Sequence, residues 1–107
     1  MQRYGQLIGV KPEVFEEYKK YHAAVWPEIL GMIRQCNIHN YSIYHKDNML
    51  FAYFEYVGDD FAADMAKMGA DPMTQKWWDI MMPMQQPIPT RSEGEWWANM
   101  EEVFHTD

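Results

Sequence analysis

Two strand-like runs flanking a single short turn restrict the fold more than anything else in the chain. Residues 37–45, NIHNYSIYH, alternate, with Ile38, Asn40, Ser42 and Tyr44 set against His39, Tyr41 and Ile43. Residues 49–57, MLFAYFEYV, are apolar and aromatic throughout, the composition of a central strand. Lys46-Asp47-Asn48 between them is turn chemistry, so the two runs predict an antiparallel hairpin. An isolated hairpin is marginal in water and has to bury a face against further strands or helices.

The rest of the chain supplies those elements. Residues 2–10 alternate loosely and predict a strand, with Tyr4, Gln6, Ile8 and Val10 on one face and Arg3, Gly5, Leu7 and Gly9 on the other. Two glycines on one face imply that something large packs close there. Lys11-Pro12 opens a helix whose face carries Val14, Phe15, Tyr18, Tyr21, His22 and Val25. Trp26 precedes Pro27 and so avoids helical geometry, which breaks the helix at Trp26 and restarts it at Pro27, to run to about Gln35. After the hairpin, Asp59 or Asp60 caps a helix that Gly69 stops. Asp71 caps the next, which ends at Pro83. Proline-rich QQPIPTRSEGE reads as a loop or arm, and the chain closes on a strand around Met100–His105. The order β, α, β, β, α, β is that of an α+β fold, a ferredoxin-like βαββαβ antiparallel sheet with helices on one face. At 107 residues it is one domain, 1–107. The other sheet face stays aromatic and uncovered, so a homodimer packed sheet to sheet is expected.

Charge narrows the partners. Nine basic and sixteen acidic residues give a net charge of −7, which argues against nucleic acid and anionic membranes and favours a neutral ligand. Cys36 is the only cysteine, so no intrachain disulfide forms and a reducing compartment is expected. The opening MQRYGQLIGV is too short and polar for a secretory signal, and no apolar run approaches the ~20 residues of a membrane span. A cytoplasmic protein is expected.

The chemistry concentrates in EYKKYHAAVWPE, Glu17 to Glu28. Tyr18 and His22 lie one helical turn apart and share a face. A histidine there can exchange a proton near neutral pH, and the Trp-Pro break lies just beyond it. Trp77-Trp78 and Trp96-Trp97 are adjacent pairs. Neighbours on a helix are about 100° apart, so both members of a pair cannot sit centrally in one core stripe. Indoles stack on the apolar face of a sugar, while phenol and imidazole groups satisfy its hydroxyls. Packing is the competing explanation for Trp77, Trp78 and the mid-strand Tyr41, and the role of Trp96-Trp97 stays open between pocket, interface and core. Cys36-x-x-His39 looks like half a zinc site, but no second pair has matching spacing, so neither a metal nor any other cofactor is expected.

These residues resemble the L-rhamnose mutarotases. EEYKKYHAAVWPEIL, NYSIY, LFAYFE, KWWDIM and EEVF carry the likeness, from about residue 6 to 84 and again from Met100 to Phe104. The resemblance implies a ferredoxin-like subunit paired into a dimeric α/β barrel, and cofactor-free interconversion of sugar anomers. It implies His22 as proton donor and Tyr18, Tyr41, Trp77 and Trp78 as substrate contacts. Two departures stand out. Tyr21 replaces a basic residue before the motif histidine, and QQPIPTRSEGEWWAN replaces a short Asn-Pro-rich segment. The second bears on the pocket rim, which leaves L-fucose or another neutral aldose as alternatives to L-rhamnose. A cofactor-free monooxygenase of the same architecture and a non-catalytic sugar-binding module are the competing functions.

Overall fold

A computed structural model describes residues 1–107. Strand β1 spans Gln2–Val10, and a 3-10 turn at Pro12–Val14 leads into α1, Phe15–Ala23. Helix α2 is Pro27–Gln35, β2 is Ile38–Lys46 and β3 is Met49–Tyr56. Helix α3 is Phe61–Ala70 and α4 is Pro72–Met81, and a second 3-10 turn, Met82–Met84, leads into two short strands, β4 at Gln85–Gln86 and β5 at Ala98–Met100. The sheet order is β2-β3-β1-β4, antiparallel throughout, with β5 pairing β1 further along the edge that β4 occupies. This is the ferredoxin-like arrangement read from the element order, closed over by its helices on one face.

The helix-facing residues of the two central strands form the core. Ile8 and Val10 of β1 and Leu50 of β3 are almost fully buried, together with Tyr18 of α1, Ile29 of α2 and Trp77 and Met81 of α4. A smaller cluster of Ile38, Phe54 and Tyr56 packs beneath α3. The Tyr4 ring continues it, stacked on Phe54 and Phe61 at centroid separations of 5.0 and 4.6 Å.

Aspartate caps explain where α3 and α4 begin. Of the two aspartates expected to cap α3, Asp60 does so, its carboxylate accepting from the Ala63 N–H at 3.1 Å. Asp71 ends α3 and starts α4, accepting from both the N–H and the hydroxyl of Thr74 at 2.9 Å. Helix α3 therefore runs one residue past Gly69, and the extended Asp71 ahead of Pro72 stops it. Helix α1 stops at Ala23, three residues before Trp26, because the chain has to leave helical geometry to bring Trp26 to the extended conformation that Pro27 demands (φ −59°, ψ 136°).

Three expectations are corrected. The strand expected around Met100–His105 is displaced: β5 is Ala98–Met100, and residues 101–107 carry no regular structure. Glu102 holds this tail to the sheet through a bidentate contact with Arg3, at 2.9 and 3.1 Å. The expected loop from Gln85 onward starts as strand β4, and Gly9 makes that pairing possible. A Cβ at Gly9 would lie 2.7 Å from the Gln86 carbonyl oxygen, so only glycine admits this approach.

The third correction concerns β2. Its register against β3 jumps from His39↔Glu55 to Ser42↔Tyr53, so Asn40 and Tyr41 together oppose Phe54. This is a β-bulge, with Asn40 in the left-handed region at φ 50°. Strict alternation would put Ile38 on the face opposite Tyr41 and Ile43. The extra residue inverts the parity, and all three line the same hollow.

Candidate active site

Between the sheet and helices α1, α3 and α4 lies a cavity of ≈490 Å³, and a second hollow of ≈530 Å³ adjoins it, sharing His22, Tyr41 and Trp77. Both volumes fall within the ~300–1,000 Å³ range of small-ligand sites. Each of the five site residues expected from sequence lines the first cavity: Tyr18, His22, Tyr41, Trp77 and Trp78. None of its lining residues is Asp, Glu, Lys or Arg. Its polar atoms come from amides, phenols, one threonine hydroxyl, indoles and the His22 imidazole.

His22 is half-buried on α1 and held on three sides. Its Nδ1 lies 2.8 Å from the Tyr18 carbonyl oxygen, one turn earlier. A carbonyl oxygen only accepts, so Nδ1 carries the hydrogen and Nε2 is the nitrogen left for a ligand. The imidazole stacks on the Tyr18 ring at 4.4 Å and meets the Trp77 ring edge-on at 5.4 Å. Burial pushes its pKa below the ordinary value, and the bond to the Tyr18 carbonyl only partly restores it. The resting ring at neutral pH is therefore uncharged, with a bare Nε2.

Tyr18 is buried, and its hydroxyl accepts a hydrogen bond from Gln85 Nε2 at 3.0 Å. Burial raises its phenol pKa, against a lowering from Gln85. Tyr41 reaches the cavity from the bulge on β2. Although 42 % of the residue is exposed, its phenol is desolvated and pushed up to about 12, with the Tyr18 phenol adding to the rise. Both phenols keep their protons at neutral pH. The Trp77-Trp78 pair divides as its helical spacing requires. Trp77 is 7 % exposed and wedged against Tyr21, His22 and Trp26, whereas Trp78 is 38 % exposed, yet both rings wall the cavity.

Of the roles left open for Trp96-Trp97, pocket and core are both seen in the single chain. Both line it, and Trp97 also packs on the core. Gln85 is the buried cavity-lining residue that sequence reasoning missed: it is 7 % exposed and joins Tyr18 to Trp96, whose indole N–H donates to Gln85 Oε1 at 2.8 Å. A glutamine inside a proline-rich stretch carries no sequence signal, and only the β4 pairing turns it inward. The half zinc motif does not converge. Cys36 is fully buried with its thiol 3.6 Å from Met32 Sδ, whereas His39 is exposed, and no three His, Cys, Asp or Glu side chains come together elsewhere.

An aromatic-walled, charge-free cavity with one imidazole and two phenols, on a ferredoxin-like sheet, defines a small-ligand acid–base site on a superfold that hosts several chemistries. The family model described as L-rhamnose mutarotase matches residues 3–106. The chain belongs to the L-rhamnose mutarotase family. It is 39 % identical over its full length to the L-rhamnose mutarotase of Phocaeicola vulgatus, and 33 % and 34 % identical, again over the full length of both chains, to those of Oceanobacillus iheyensis and Bacteroides thetaiotaomicron. Among solved structures, the L-rhamnose mutarotase from Formosa agariphila covers both chains completely, with a TM-score of 0.78 and 26 % identity. The tetracenomycin F2 cyclase of Streptomyces glaucescens covers 100 % of this chain and 98 % of its own at a TM-score of 0.75 and 11 % identity, a likeness of fold alone.

Proposed function

We propose that the chain interconverts the α and β anomers of L-rhamnose, opening and reclosing the sugar ring by general acid–base catalysis at His22. The observation that carries this reading is the Nδ1–H bond to the Tyr18 carbonyl, which leaves Nε2 as the one basic atom in a cavity walled by indoles.

The reaction needs two proton transfers. On opening, Nε2 takes the proton of the anomeric hydroxyl, its oxygen forms the aldehyde double bond, and the C1–O5 pair moves to the ring oxygen. That oxygen takes a proton from a phenol, Tyr18 or Tyr41, because an alkoxide is a stronger base than a phenolate. The C1–C2 bond turns, the ring oxygen attacks the other face of C1 and returns its proton to the phenol, and the imidazolium returns its proton to the anomeric oxygen. His22 therefore serves as proton donor on closure, after it has served as acceptor on opening. Trp77 and Trp78 hold the apolar sugar face. Acid–base terms of this kind contribute roughly 10²–10⁴-fold each.

The absence of charge in the lining favours a neutral aldose and disfavours a uronate. A second copy of the chain completes the assembly in this reading: Tyr44, Phe51 and Met100 lie exposed on the sheet face away from the helices, and a sheet-to-sheet homodimer would bury them. The test is anomer exchange of L-rhamnose followed by saturation transfer between the two H1 resonances. Wild-type protein should accelerate it, and L-fucose run in parallel separates the two deoxy sugars. No acceleration of any aldose would sink the reading.

A further inference from the structure

We infer that Gln85 and Trp96 are positioning residues that aim the Tyr18 hydroxyl proton into the cavity. This rests on the mutarotase reading for its kinetic consequence, but not for its hydrogen-bond chemistry. An indole Nε1–H can only donate, so its 2.8 Å contact fixes the Gln85 end it touches as the carbonyl oxygen. The amide orientation is thereby set, and the Gln85 NH₂ group faces Tyr18 at 3.0 Å. The Tyr18 oxygen is then an acceptor in that contact, and its own hydrogen must point elsewhere. It makes no other hydrogen bond within the chain, and the residue lines the cavity. A sugar oxygen there would receive it.

The direction of the chain matters as well as its geometry. Each bond, indole to amide and amide to phenol, donates toward the phenol oxygen, and such chains strengthen one another. A phenol that accepts a hydrogen bond gives up its proton more readily, the opposite of what burial does to it. Tyr18 thus stands at the centre of two alignments: its carbonyl orients His22, and its hydroxyl is oriented through Gln85.

The experiment compares wild type with Gln85→Met, which keeps length and loses both hydrogen bonds, and Trp96→Phe, which keeps a ring and loses the donor. Without the indole N–H the amide can turn its oxygen to Tyr18 and draw the proton away from the cavity. Two quantities are read: the kcat and KM of L-rhamnose anomer exchange, and the Tyr18 phenol titration by ¹³Cζ-tyrosine NMR, with the resonance assigned by Tyr18→Phe. Gln85→Met should lower kcat about tenfold with KM within about threefold, and should raise the Tyr18 pKa. Trp96→Phe should move both in the same direction by less, and it serves on its own if Gln85→Met fails to melt as a folded protein. Wild-type kcat together with an unmoved Tyr18 titration in a folded variant would overturn the inference while leaving the mutarotase reading intact. If wild type accelerates no anomer exchange, that reading falls, and the Tyr18 titration alone still decides whether Gln85 donates to the phenol.

Discussion

At His22, burial and a backbone hydrogen bond act in opposite directions on one ring, and burial wins. The sign of the pH dependence follows. As pH falls below the ordinary histidine value and through the lower folded one, Nε2 is protonated and loses its ability to accept, so kcat/KM should drop on the acid side of that depressed pKa. The same depression links to stability. Between the two pKa values the unfolded chain binds a proton that the folded chain refuses, so stability should decline as pH falls from about 6.5 to the folded pKa, then level off. A pH–rate profile and urea melts at several pH values measure the two effects separately, and a rate that keeps rising below pH 6 would contradict the assignment. Replacing His22 by Ala should reduce anomer exchange by roughly 10²–10⁴-fold without unfolding the protein, because the ring is only half-buried.

At the scale of elements, two backbone features decide where site residues point. The bulge in β2 turns Tyr41 inward, and Asn40 pins it at φ 50°. Asn40→Val should cost about 1–2 kcal/mol, since a β-branched residue resists the left-handed region. It should also raise KM for the sugar as Tyr41 loses its aim. Urea melts and exchange kinetics on one preparation read both. Gly9 does the corresponding work for β4. Its close approach to Gln86 sets the strand pair that carries Gln85 beneath Tyr18. Gly9→Ala should destabilise by roughly 1–3 kcal/mol, the range for overpacking against fixed backbone, and should lower kcat through Gln85. A variant as stable and active as wild type would show that β4 tolerates displacement.

For the whole molecule, the sheet has helices on one side only, and its other side exposes Tyr44, Phe51 and Met100 around the close-packed Gly5. The tail from Glu101 leaves the sheet with Val103 and Phe104 exposed. Sedimentation should give twice the 12.8 kDa chain mass, and Phe51→Glu should shift it toward the monomer, because a carboxylate cannot be buried unpaired in a sheet-to-sheet contact. A monomeric wild type would remove the homodimer from the proposal. No helix is long and apolar enough to cross a membrane.

The element order, the hairpin and the caps were legible in the chain because each is local: period-2 and period-3.6 patterns, a turn, an aspartate before a helix. So were Tyr18 and His22, whose spacing fixes the face they share, and Trp77 and Trp78, whose adjacency divides them between two faces. Tyr41 was legible as a residue but not in its direction, since one bulged residue reverses a strand's parity and nothing in NIHNYSIYH announces it. Trp96 was legible only as one of three readings, and the inward turn of Gln85 was beyond the sequence. They lie eleven residues apart along an irregular arm, Gln85 meets Tyr18 from 67 residues away, and only the pairing of β4 with Gly9 and Val10 brings the three into one hydrogen-bonded chain. Local chemistry determined which groups this protein brings to its cavity; the tertiary structure decided which way their protons point, because hydrogen-bond direction depends on partners that sequence distance hides.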